Sequence, residues 1–137
     1  MKILGAAITL TVSDPTASSE FFCTHLGFHA TAANEEFTYL ERDDLDVEIV
    51  LRHRDPRKPP TPPGPGPIGV ELSFEVPDLA AEQDRLLEEG APVTDPLRRI
   101  AAGLLRLRLT DPNRLDVHLT EWTPPAGCPP DAGSAAV

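Results

Sequence analysis

Two side chains able to hold a metal ion or a polar ligand stand at matching places in a repeated motif. Leu45-Asp46-Val47-Glu48-Ile49 returns 70 positions later as Leu115-Asp116-Val117-His118-Leu119. A carboxylate and an imidazole thus occupy equivalent positions, and two copies that face each other would bring Glu48 and His118 to one site. A second pair of motifs points the same way. Val12-Ser13-Asp14 opens a helix-like stretch that closes at Leu26-Gly27, and Val76-Pro77-Asp78 opens another that closes at Glu89-Gly90. Repeats at this spacing mark two copies of one supersecondary unit.

The elements that must position these residues follow from periodicity. Ile8, Leu10 and Val12 alternate with Ala7, Thr9 and Thr11, the pattern of a half-buried strand. Asp14-Pro15 then starts a helix, Ala17, Phe21, Phe22 and Leu26 form its apolar stripe, and Gly27 ends it. Residues 28–33, 36–42 and 45–52 read as three strands, giving βαβββ. The second copy begins with the alternating run Val70, Leu72, Phe74 and Val76. Asp78 caps a helix carrying Leu79, Leu86 and Leu87, and residues 91–97, 104–110 and 115–121 supply its strands. The expected fold is α+β: two tandem modules, 3–53 and 70–122, building a curved mixed eight-stranded sheet around a cleft, with helices on the convex side. Together they make one domain over 1–122. Seven prolines between 55 and 69 make the connector 54–69 an extended spacer, and the Pro-, Gly-, Ala- and Ser-rich tail 123–137 is expected to be disordered.

Alternation also sorts the faces. Ala7, Thr9, Thr11, Glu48 and Val50 fall opposite the helix side in the first copy. Glu71, Ser73, Glu75, Arg106, Arg108, Asp116, His118 and Thr120 do so in the second. Such a face is often merely solvated; the duplication makes it the candidate lining of a cleft, with Trp122 at the mouth to stack on a ligand or cover the core's edge. Arg106 and Arg108 lie on the strand beside His118, and guanidinium forks pair well with carboxylates, so they are expected to neutralise Glu71, Glu75 or Glu48.

Composition narrows the partners. Twelve basic against 22 acidic residues give a net charge of −10, which argues against nucleic acid and mildly favours a cationic ligand. No stretch reaches the roughly 18 apolar residues of a membrane span. Cys23 and Cys128 have neither framework nor metal spacing, so reduced thiols and a cytoplasmic location are expected. His25, His29 and His53 read as surface or capping residues. No nucleophile–His–acid order appears, and Gly64-Pro65-Gly66-Pro67 lacks the amides a phosphate loop needs.

The βαβββ duplication, the Val-x-Asp helix starts, the Phe21-Phe22…Leu26-Gly27-Phe28 run and the Asp111-Pro112-Asn113 turn resemble the vicinal oxygen chelate superfamily. That group contains glyoxalase I, the bleomycin-resistance proteins and extradiol dioxygenases, and the resemblance covers about residues 3–122. It implies a divalent-metal site built from the first and last strands of each module. Carried over, the four positions are Ala7, Glu48, Glu71 and His118, so Ala7 leaves three donors: Glu48, Glu71 and His118. The turn departs from the family's Asp-Pro-Asp-Gly-Asn in lacking the glycine.

Two functions remain open from this reading, beside a purely structural or accessory module whose cleft would be filled by its own side chains. One is a drug- or antibiotic-binding protein of the bleomycin-resistance type that sequesters its ligand, with no cofactor and with Glu48, Glu71, Ser73, Arg106, Arg108, His118 and Trp122 contacting it. The other is a lyase, isomerase or thiol transferase of the glyoxalase type, using iron, manganese, nickel or zinc as a Lewis acid on Glu48, Glu71 and His118. In either case the open sheet edges and the resemblance point to a two-fold homodimer.

Overall fold

Asp14 and Asp78 each start a helix with the side chain as acceptor. The Asp14 carboxylate accepts from the Ala17 amide at 3.2 Å, and Pro15 follows at a position that needs no donor. Asp78 accepts from the Ala81 amide at 3.1 Å. The structure, a computed structural model, describes residues 1–55, 57 and 69–123. Most of the Pro-rich connector and nearly all of the tail, Cys128 included, lie outside the described residues. The order is β1 (Ala6–Val12), α1 (Pro15–His25), β2 (His29–Ala33), β3 (Phe37–Arg42), β4 (Leu45–His53), β5 (Glu71–Glu75), α2 (Leu79–Glu88), β6 (Val93–Ala101), β7 (Leu104–Thr110) and β8 (Asp116–Trp122).

The eight strands form two four-stranded mixed sheets, ordered β1-β4-β3-β2 and β5-β8-β7-β6. In each module the first strand pairs parallel with the last, and the remaining pairs are antiparallel. The chain divides into two compact units. The first holds Met1–Val70 together with Asp111–Leu115; the second holds Glu71–Thr110 and the strand from Asp116 onward.

In the first unit α1 packs on β2, β3 and β4. Leu10, Val12, Phe21, Phe22, Leu26, Phe28, Leu40, Ile49 and Leu51 are buried. Phe22 meets Phe21 and Phe28 edge-on at 5.6 and 5.4 Å. Gly27 ends the helix with φ +69°. Arg42 then closes the end: it donates to the Leu26 carbonyl, lies over the Phe28 ring at 5.9 Å and bonds Asp44 at 2.8 Å. The hydrogen bond from Arg42 holds the Asp44 carboxyl below its usual range.

The stripe of α1 differs from expectation at one place. Ser18 is fully buried, whereas Ala17 is half-exposed. A buried hydroxyl needs partners, and the turn between β7 and β8, part of the same compact unit, supplies them. Ser18 Oγ donates to Asp111 and accepts from Asn113 Nδ2 at 2.6 Å. The other Asp111 oxygen accepts the amides of Asn113 and Leu115 at 2.9 and 2.8 Å. Asn113 in turn holds the peptide groups of Asp14. Arg114, where the family motif has glycine, adopts φ +63°, the left-handed conformation that glycine favours.

In the second unit α2 packs on β6, β7 and β8, with Leu79 and Leu86 fully buried above Leu72, Leu107, Leu109, Val117 and Leu119. Leu87, the third leucine of this helix, is 57% exposed. It sits one residue and about 100° around the helix from Leu86, off the buried face. The Leu79 amide is capped by Glu121 Oε1 at 2.8 Å. β6 extends to Ala101 instead of stopping at 97. Pro96 is tolerated because β6 is an edge strand whose register with β7 shifts across it, between Asp95 and Arg98. Among the described residues no helix is long and apolar enough to cross a membrane.

Candidate functional site

The second unit carries most of the residues that the sequence singles out, on the sheet face opposite its buried apolar set. Successive β residues point to opposite faces, so Val117 and Leu119 go to the core while Asp116, His118, Thr120 and Trp122 go to the other side. Strand register then builds rows across the sheet. Ser73, His118 and Arg108 are neighbours in one row; Glu75, Thr120 and Arg106 in the next; Leu104 and Trp122 beyond it. Glu71 aligns with Asp116 and Thr110 on the other flank.

His118 is only 6% exposed. Its Nε2 lies 4.0 Å from Glu71 Oε2, beyond hydrogen-bond reach, and Glu71 is largely exposed. Among the described residues two buried side-chain polar atoms lack a hydrogen-bond partner: His118 Nε2 and Trp122 Nε1. Both belong to β8 and to the same face. Buried polar groups are normally satisfied, and these two, on one face, are exceptions among the described residues.

The arginines depart from expectation. Arg108 Nε donates to Thr94 Oγ1 at 3.1 Å, and a hydroxyl chain continues from Thr94 to Thr110 (2.9 Å) and on to Asp116 (3.1 Å). Among the described residues neither Arg106 nor Arg108 forms an ion pair with Glu71 or Glu75. The reason is topological. β8 lies between β7 and β5, so the carboxylates are two strand spacings away, roughly 10 Å, whereas Thr94 is on the adjoining strand. The orphan atoms and the Thr94 contact were not readable in sequence, because each depends on side-chain conformation rather than on pattern.

In the first unit Glu48 is half-buried on β4 and aligns with Ala7 on β1. The two line an open depression of about 420 Å³ together with Gly5, Ala6 and Asp46. Ala7 offers no donor there. Among the described residues no three His, Cys, Asp or Glu side chains are grouped closely enough to hold a metal ion. Of the three expected donors, Glu71 and His118 belong to the second unit and Glu48 to the first. The remaining histidines have local roles: His25 packs edge-on against Phe21 at 5.6 Å, exposed His29 lies 3.9 Å from Glu41, and His53 Nδ1 accepts from the Asp55 amide at 3.0 Å. Cys23 is a free thiol.

Two βαβββ units, each with its first and last strands paired parallel, define the duplicated α+β class to which glyoxalases and drug-binding proteins belong. The model of the Glyoxalase/Bleomycin resistance protein/Dioxygenase superfamily matches residues 6–119, and the chain belongs to that superfamily. Similar solved structures include TnmS3, an antibiotic binding protein from Streptomyces sp. CB03234 (22% identity, 90% of this chain and 99% of that one, TM-score 0.68). A superfamily member from Sphaerobacter thermophilus DSM 20745 (22%, 88% and 98%, 0.66) and lactoylglutathione lyase from Agrobacterium tumefaciens (18%, 85% and 91%, 0.66) are similar as well. At these identities the likeness shows the fold. A comparison with curated proteins finds no significant match.

Proposed function

We propose that the protein binds a small drug-like or antibiotic molecule and sequesters it unchanged. The observation that carries this reading is the pair of unpartnered buried atoms, His118 Nε2 and Trp122 Nε1, on the face that also presents Ser73, Arg106 and Arg108. A ligand that completed their hydrogen bonds would remove the cost of leaving them unmade. Ala7, without a donor opposite Glu48, supports binding rather than metal-assisted chemistry, and the antibiotic-binding neighbour fits the same view.

One observation favours the second reading, a glyoxalase-type lyase, isomerase or thiol transferase: the approach of Glu71 to His118, which with Glu48 would supply the three expected donors. The two readings separate in one experiment. Protein prepared without chelator or tag-derived nickel is analysed for metal, then dialysed against a panel of antibiotics, and the retained compounds are recovered and weighed by mass spectrometry. Sequestration predicts metal-free protein and compounds recovered with unchanged mass. Stoichiometric metal that is lost in His118→Ala, or a product of altered mass, would establish the enzyme instead.

The binding form is proposed to be a two-fold homodimer in the cytoplasm. Support comes from exposed Ile8 on edge strand β1 with exposed Ile3 and Leu4 just before it, and from exposed Val70 just before edge strand β5. Light scattering that gives a monomer mass at high concentration would remove the dimer.

A further inference from the structure

Resting on that reading, we propose that the ligand is an elongated, acceptor-rich molecule bearing an oxyanion, lying along β8 with the oxyanion at Arg106 and Arg108 and a second acceptor at the Trp122 indole. The direction of the missing hydrogen bonds decides the chemistry. An indole N–H and a guanidinium are donors only, and an imidazole offers one donor when neutral. A ligand meeting Trp122, Arg106 and Arg108 must therefore bring acceptors.

The placement of charge makes one acceptor anionic. Although the chain as a whole is acidic, this part of the face is not. Arg98 on β6 stands directly opposite Arg106 on β7, and Arg108 follows two residues along the same face. Like charges directly opposite on a sheet repel. Arg98 is held by Asp95 at 3.1 Å, but Arg106 makes no hydrogen bond or ion pair among the described residues. Arg108 is anchored through Nε by Thr94, which fixes its fork and leaves its terminal nitrogens for a partner. A carboxylate, sulfonate or phosphonate suits two such forks. Of the nearby carboxylates, Glu71 and Glu75 lie on β5, beyond β8, and Asp95, opposite Arg108 in the ladder, is already engaged by Arg98. Length follows from the strand. His118 and Trp122 are four residues apart, about 13 Å, with Arg108 and Arg106 alongside at the level of His118 and Thr120. The cationic ligand that net charge alone favours is thus replaced, at this face, by an anionic one.

Two fluorescent probes of nearly the same shape test this: 8-anilinonaphthalene-1-sulfonate and its uncharged parent N-phenyl-1-naphthylamine. Trp122 is the only tryptophan in the chain, so quenching of its emission reports binding at this face. The sulfonate is expected to bind about tenfold or more tighter than the parent, the effect of one charge-assisted hydrogen bond or more. In Arg106→Gln/Arg108→Gln that preference should vanish while the parent's affinity stays within about twofold. The single Arg106→Gln change, at a side chain with no hydrogen bond or ion pair among the described residues, provides a variant whose fold is not at risk and should lose part of the preference. Equal affinity for the two probes, or a preference that survives in the double variant, overturns the oxyanion while leaving small-molecule binding in place. Binding of neither probe, or binding that leaves Trp122 emission untouched, overturns both the oxyanion and the use of this face.

Discussion

Asn113 holds both ends of the Asp14 residue from 99 positions away in the chain. Its Oδ1 accepts from the Asp14 amide at 3.0 Å, and its Nδ2 donates to the Asp14 carbonyl at 2.7 Å. The same Nδ2 reaches Ser18 Oγ, which is bonded to Asp111. The start of α1 is therefore defined by a turn of the second copy as well as by its own cap. Asn113→Ala should lower stability by about 2–3 kcal/mol, because it strands buried groups whose desolvation is no longer offset. Urea denaturation checks this, and a double cycle with Ser18→Ala should give a coupling of about 1 kcal/mol or more. Independent, additive losses would show that the cluster is not a unit.

Arg114 offers a change in the opposite direction. Its φ of +63° costs a side-chain-bearing residue about 1–2 kcal/mol. Glycine would remove that strain but lose about 0.4–1 kcal/mol through the unfolded chain. Arg114→Gly should therefore gain about 0.5–1 kcal/mol. A destabilised Arg114→Gly protein, read by thermal unfolding, would mean that the arginine side chain contributes more than its backbone costs.

Gly103 and Gly90 form a controlled pair. Both have left-handed φ, +77° and +72°, yet a Cβ at Gly90 meets nothing within 4 Å while one at Gly103 would overlap the Thr123 carbonyl. Gly90→Ala should cost about 1–2 kcal/mol, from backbone strain alone. Gly103→Ala should cost clearly more and shift the emission of adjacent Trp122. Equal losses would place the Thr123 backbone elsewhere.

Asp44 provides the pH test. Its hydrogen bond from Arg42 lowers its pKa on folding. A lowered carboxyl pKa gives stability that is present above the unfolded value, about 3.9, and is lost as pH falls through the folded one. Because Asp44 is exposed the effect is small. NMR titration should find Asp44 below the ordinary aspartate range in the wild type and back within it in Arg42→Gln. An unchanged value in the variant would remove Arg42 as the cause.

Much of the fold is legible in the chain because its causes are local. Alternation in Ile8–Val12 and Val70–Val76, the caps at Asp14 and Asp78, and the stop at Gly27 each act within a few residues. The far end of β6 is less legible, because Arg98–Ala101 continue the strand past Pro96 through pairing with β7 rather than through a local signal. Ser18 could not be read as a core residue, since the partners that make its burial tolerable come from positions 111 and 113. Within the site, alternation placed Ser73, His118, Arg106, Arg108 and Trp122 on one face. The partner of Arg108 was not legible, because a strand order of β5-β8-β7-β6 sets Thr94 beside it and the carboxylates two strands away.

The most direct test of the binding account is a proton–nitrogen NMR titration of the labelled protein with 8-anilinonaphthalene-1-sulfonate, following the Trp122 indole N–H and the His118 ring nitrogens. The account predicts that both move on one saturable curve as their missing partners arrive. Saturation that shifts other residues while Trp122 and His118 stay fixed would contradict it.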